Sequence, residues 1–172
     1  SLSEFFIYIQ ELGIVIILYW MYKKFDNRLY FAWLLIFTYI LLDDSLLLHE
    51  RIGVWMVDQF GVENNFGVRG RDITEVIVQI IFGVPLVSYM AYTHITNKDS
   101  LANRISIILF ISLIILVAFA IVLDWFHVRI MILYLKPILG TIEDGGELFI
   151  VTGILWYVYR QWQNIESGIA TN

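Results

Sequence analysis

Long apolar stretches separated by short polar segments dominate the chain. They cover residues 5–22, 29–49, 73–93, 105–126 and 147–162. Because a helix needs about 20 mostly apolar residues to cross a membrane, this pattern predicts an all-α integral membrane protein, a bundle of about five transmembrane helices. The fifth stretch is short, so four spans plus an interfacial helix are the alternative. The segments between the stretches are too short for a separate domain, so we expect residues 1–172 to form a single transmembrane helical domain.

The composition agrees with a membrane environment. Hydrophobic residues make up 59% of the chain and charged residues only 16%, where a soluble domain has about 25% charged residues. Cysteine is absent, so any metal must be held by oxygen and imidazole. The 11 basic residues are scattered, which excludes nucleic acid as a partner. The expected partners are the lipid bilayer and either other membrane subunits or further copies of this chain.

Basic residues near the ends of the spans give an orientation. The first loop contains Lys23, Lys24 and Arg28 within a few residues. A short loop dense in positive charge is typical of the cytoplasmic side of a membrane. We therefore expect the N-terminus to lie outside and the C-terminus inside.

In this topology nearly all acidic residues fall at one membrane face. That face holds Glu11, Asp43, Asp44, Glu50, Asp72, Glu75, Asp124, Glu143, Asp144 and Glu147, together with His49 and His127. A charged side chain near the centre of a membrane helix costs about 2.5–3.5 kcal/mol on insertion scales. We therefore expect these groups to face the interior of the bundle and to be paired or coordinated.

A divalent-metal site is the leading interpretation of this cluster. Two imidazoles and several carboxylates from separate helices resemble the ligands of carboxylate-bridged dimetal sites in helical bundles. The predicted ligands are His49, Glu50, Glu75, Asp124, His127 and Glu147, with Asp43, Asp44 and Glu143 as supporting or alternate ligands. The metal would be iron, zinc, copper or manganese. Iron or copper would fit an oxidoreductase acting on a lipid-soluble substrate, and zinc would fit a hydrolase.

The spacing departs from the dimetal pattern, which uses Glu-x-x-His on two helices. Only Asp124 and His127 fit here, with an aspartate in place of glutamate. On a regular helix Asp44 and His49 point about 140° apart, so both cannot face inward without a distortion. Asp43 and Glu50, seven residues apart, would share a face.

Other interpretations of the cluster stay open. Arginines on the same side could neutralise the carboxylates in an ion-pair network, and His49 and His127 could hold a haem. At the level of function, the alternatives to a metalloenzyme or metal-binding protein are an accessory subunit of a larger membrane complex and cation or proton translocation. Few polar residues continue the acidic cluster across the spans, which disfavours translocation.

One local motif resembles a known group of sequences. Residues 42–50, LDDSLLLHE, resemble the signature "LDD, three residues, LHE" of uncharacterised bacterial multi-pass membrane proteins. This resemblance implies a protein of the bacterial inner membrane and carries no known activity. Ceramidase-type hydrolases and membrane desaturases need more histidines than the three present here. A retinal protein needs a lysine inside a span, and this chain has none there.

Overall fold

A computed structural model of the chain consists of α-helices and connecting turns, which confirms the all-α prediction. It describes residues 2–62, 69–129 and 136–167, without the side chains at 120–129, 136–139 and 143. The helices are α1 (Leu2–Phe25), α2 (Arg28–Leu46), α3 (Leu48–Phe60), α4 (Gly70–Thr96), α5 (Ser100–Arg129) and α6 (Lys136–Glu166).

Four helices in the described part are long and apolar enough to cross a membrane. They are α1, α2, α4 and the Ser100–Phe119 part of α5. Helix α6 has 31 residues but is not among the four, so the fifth crossing stays a prediction.

Helix α1 owes its central position to one regularly spaced stripe. Ile7, Glu11, Ile14, Leu18 and Met21 recur every three or four residues and are all buried, so they lie on a single helical face. Helix α1 packs between α2 and α6, α5 packs against α6 and α2, and α4 packs against α2 and α3. The glutamate therefore lies in the core of the bundle.

Polar contacts define one end of the bundle, which we call the acidic end. There α1 begins, α2 ends and α6 is in its third turn. The Tyr8 hydroxyl donates a hydrogen bond to the backbone oxygen of Asp44 (3.1 Å), and the Ser3 hydroxyl donates one to Asp144 Oδ2 (2.6 Å).

The opposite end is closed by side-chain amides. Asn27 caps α2 by accepting a hydrogen bond from the Leu29 N–H (2.9 Å), which satisfies a donor of the first helical turn. Its amide nitrogen donates to Asn97 Oδ1 (3.2 Å). These bonds join the turn between α1 and α2 to the turn between α4 and α5.

The structure corrects the sequence analysis between residues 47 and 72. Helix α2 ends at Leu46, not at His49, and α3 occupies much of a segment predicted to be a loop. The short α3 packs on α4, where the Thr74 hydroxyl donates a hydrogen bond to the Gly53 backbone oxygen (2.9 Å). Its 13 residues are too few for a span, so a search for membrane-length apolar stretches misses it.

Candidate cation site at the acidic end

A break after α2 creates the first feature of the site. Leu47 has φ 52° and ψ 46°, the left-handed conformation that ends many helices. The Asp43 carboxylate accepts hydrogen bonds from the backbone N–H of His49 (2.9 Å) and pairs with its ring Nδ1 (2.9 Å). Asp43 therefore caps the first turn of α3 and orients the imidazole.

This break changes which predicted residues can meet. On a continuous helix Asp43 and Glu50 would share a face, and His49 would point away from Asp44. In the structure His49 pairs with Asp43 and also lies near enough to Asp44 for an electrostatic interaction. The distortion that the spacing required is thus present, at Leu47.

Arginines bind the carboxylates at the start of α4. Arg71 binds Glu75 (2.5 Å) in its own helix and also pairs with Glu50 of α3. Arg69 pairs with Asp72 (2.9 Å). The ion-pair network therefore accounts for these three carboxylates, which include the predicted ligands Glu50 and Glu75.

A pair of carboxyl groups, Glu11 and Asp44, lies deeper between α1 and α2. Glu11 is only 2% exposed, and its side chain lies beside that of Asp44. Two ionised carboxylates in contact repel each other, so a cation between them would stabilise the pair. The second oxygen of Glu11, Oε2, is buried and has no hydrogen-bond partner among the described residues.

The surroundings of Glu11 and Asp44 are also acidic. Glu147 of α6 lies near enough to Glu11 to repel it electrostatically. No ion pair joins a lysine or arginine to Glu11 or Asp44 within the described part of the chain. A buried acidic group in such a setting favours binding of a cation or a proton.

The described residues do not complete a metal site by themselves. Among them, no group of three histidine, aspartate or glutamate side chains is placed to hold a metal ion. The side chains of Asp124, His127 and Glu143 lie outside the described residues, although α5 continues through the first two. A complete ligand set would therefore need contributions from the end of α5 or the start of α6.

Sequence reasoning placed Glu11 near this face but not among the ligands. The signal was its position on the stripe formed by Ile7, Ile14 and Leu18, the face that α1 buries. A glutamate at such a position must be buried with the apolar residues around it. Its spacing along α1 was therefore the informative signal.

The fold and the exposed surface define an integral membrane protein. Large apolar side chains cover the outside of the candidate spans, including Ile80 of α4 (55% exposed) and Ile111 of α5 (51% exposed). Water would not stabilise such a surface, whereas lipid chains would.

The chain belongs to the family described as "Domain of unknown function (DUF8692)", whose model matches residues 12–161. The match contains every predicted ligand from Asp43 to Glu147 and begins one residue after Glu11. An uncharacterised family agrees with the resemblance found in the sequence, whereas the nine-residue signature and the bacterial origin remain predictions. No curated protein and no solved structure matches the chain.

Proposed function

We propose that this chain is a membrane protein that binds a cation between Glu11 and Asp44 at the acidic end. The observation that carries the proposal is the buried Glu11 carboxyl group, whose Oε2 has no partner among the described residues. An ionisable group inside a membrane protein is costly and usually has a function. A cation bound by both carboxylates would give this buried oxygen a partner.

A divalent metal is the cation that this site suits best. Glu11 and Asp44 come from different helices, as the carboxylate ligands of metal sites in helical bundles do. Glu147 is near, and Asp124, His127 and Glu143 belong to the segments that would complete the set. Carboxylates alone favour manganese, and added imidazole makes iron, zinc or copper suitable.

The chemistry that such a site would support depends on which metal it binds. Iron or copper would make this protein an oxidoreductase for a lipid-soluble substrate, and zinc would supply an activated water for hydrolysis. The two carboxyl groups would hold the ion, and Tyr8, bonded to the Asp44 backbone, would fix the end of α2 against α1.

Metal analysis of the protein after gentle detergent purification tests this proposal. We expect a stoichiometric metal in the wild type that Glu11→Gln and Asp44→Asn remove, because each substitution replaces an ionised ligand by a neutral amide. The double variant Asp124→Asn/His127→Ala tests whether α5 completes the site. Glu166→Gln is the matched control, because Glu166 is exposed at the opposite end beside Lys24 (3.6 Å).

Glu75→Gln separates the new ligand pair from the set predicted by sequence. We expect it to keep the metal, because Glu75 is bound by Arg71. If Glu75→Gln lost the metal and Glu11→Gln retained it, the result would favour the ligand set predicted from the sequence over the pair Glu11 and Asp44. A protein that binds no metal would contradict the proposal and favour the alternative of an accessory subunit, in which the contact between Glu11 and Asp44 only joins two helices.

Cation or proton translocation has less support from the interior of the bundle. The stripe of α1 beyond Glu11 continues as Ile14, Leu18 and Met21, all 0% exposed. The large buried residues of α2 on the way to the opposite end include Phe37 and Trp33. A conducted ion would need polar groups or water in place of these side chains.

A further inference from the structure

Helix α4 has one face that the described part of the chain leaves uncovered. The helix buries Thr74, Val78 and Met90 where it packs on its neighbours. Its outer face carries Val76 and Ile80, which are 54% and 55% exposed. Lipid can cover apolar side chains, so exposure alone does not indicate a protein partner.

Gln79 distinguishes this face from an ordinary lipid-facing surface. It is exposed and makes no hydrogen bond with the described residues. It lies nine residues after Gly70, about 14 Å along the helix, and so deep in the hydrocarbon region. An amide that has no partner in hydrocarbon is costly, whereas an amide bonded to a neighbouring helix stabilises association.

A shallow, open groove lies beside Gln79. This groove of about 320 Å³ is lined by Gln79, Ile80, Gly83, Val84, Val87 and Ser88. A Cβ atom added to Gly83 would meet no atom within 4 Å, so the glycine forms an open notch in the surface. Val76, Ile80, Gly83 and Val87 follow one another at intervals of four, three and four residues, as the contact positions of paired helices do.

We propose that two copies of this chain associate in the membrane through this face of α4, about a two-fold axis normal to the membrane. Such an axis places every residue opposite its own copy at the same depth. The amide of Gln79 has both donor and acceptor atoms, so it can bond to Gln79 of the second copy. A second copy therefore supplies the polar partner at the required depth, and the groove at Gly83 admits the close approach of the two helices. This proposal does not depend on the cation site.

Cysteine cross-linking in membranes tests the proposed interface, because the chain has no cysteine of its own. We expect Ile80→Cys to form a disulfide-linked dimer under mild oxidation. Ile111→Cys is the control, since Ile111 is comparably exposed on α5 and lies about as far along its helix. Equal cross-linking of both variants would overturn the proposal.

Substitutions at the groove provide the second test. In the Ile80→Cys background, Gly83→Ile should reduce cross-linking, because the side chain fits the monomer and fills the notch. Gly153→Ile on α6 is the matched control, since a Cβ there also meets no atom within 4 Å. Gln79→Leu should weaken association about five- to thirty-fold, the range expected for losing an interhelical polar contact of about 1–2 kcal/mol, whereas Gln79→Asn should retain most of it. Unchanged dimerisation in both Gly83→Ile and Gln79→Leu, or a monomer at every protein-to-lipid ratio, would contradict the proposal.

Discussion

Asp43 and Asp44 are adjacent on α2 but have different partners, because the helix ends at Leu46. Asp43 faces the first turn of α3 and binds both the backbone and the ring of His49. Asp44 faces α1 and lies beside the buried Glu11. The Asp43 carboxylate therefore fixes the start of α3, and the Asp44 carboxylate belongs to the proposed binding site.

The capping role of Asp43 can be tested by removing its carboxylate. Asp43→Ala should destabilise the start of α3 by about 0.5–2 kcal/mol, the usual effect of losing a capping side chain. Hydrogen exchange of the first-turn amides of α3 should accelerate accordingly. Asp58→Ala, at an exposed position near the end of the same helix, should leave these amides unchanged. Equal acceleration in both variants would mean that Asp43 is not the cap.

At the scale of the elements, the sequence predicted the spans better than the turns between them. The apolar stretches lie within α1, α2, α4 and α5 apart from the last residues assigned to α2, because about 20 apolar residues in a row have one stable arrangement in a bilayer. The break at Leu47 was missed because a left-handed leucine has no sequence signal of its own, unlike a glycine. The two hydrogen bonds between His49 and Asp43 form only because the helix has already ended.

The contact between α3 and α4 depends on Gly53. A Cβ atom at this position would lie 2.8 Å from Cγ and 3.2 Å from the backbone nitrogen of Glu75. Gly53→Val should therefore force the two helices apart and lower the free energy of unfolding of the purified protein by about 1–3 kcal/mol. Gly153→Val, where the added Cβ meets nothing within 4 Å, controls for the intrinsic effect of valine on a helix. Similar losses in both variants would refute this close packing.

The candidate site, too, could be predicted only in part from the sequence. The clustering of acidic residues followed from alternating helix directions and could be predicted. The particular pairs could not, because they depend on how each helix is rotated about its axis. Glu75 is bound by Arg71, while Glu11, which the sequence analysis left outside the ligand set, is buried against Asp44.

At the scale of the whole molecule, the contacts show which helix ends lie together at each end of the bundle. They do not show which end faces the cytoplasm. Lys24 lies over the ring of Trp162 (4.9 Å), so the last turns of α6 lie at the end where α1 finishes. If α6 crosses the membrane, its C-terminal end shares a side with the loop between α4 and α5.

Accessibility of single cysteines tests both the orientation and the fifth crossing. We expect a membrane-impermeant maleimide to label Asp58→Cys in intact cells, because the acidic end is predicted to lie outside. Lys98→Cys and Ser167→Cys should react only after lysis, because both residues lie at the opposite end. Labelling of Lys98→Cys alone in intact cells would reverse the orientation, and labelling of Ser167→Cys beside Asp58→Cys would show that α6 does not cross.

The most direct test of the central claim is a titration of the protein in lipid nanodiscs with Mn²⁺, followed by the electron paramagnetic resonance signal of the free ion. We expect saturable binding in the wild type and in Glu166→Gln, and affinity at least about tenfold lower in Glu11→Gln, since even residues that only support metal ligands contribute this much. Equal binding by the wild type and Glu11→Gln, or no saturable binding by the wild type, would contradict a cation site at Glu11 and Asp44.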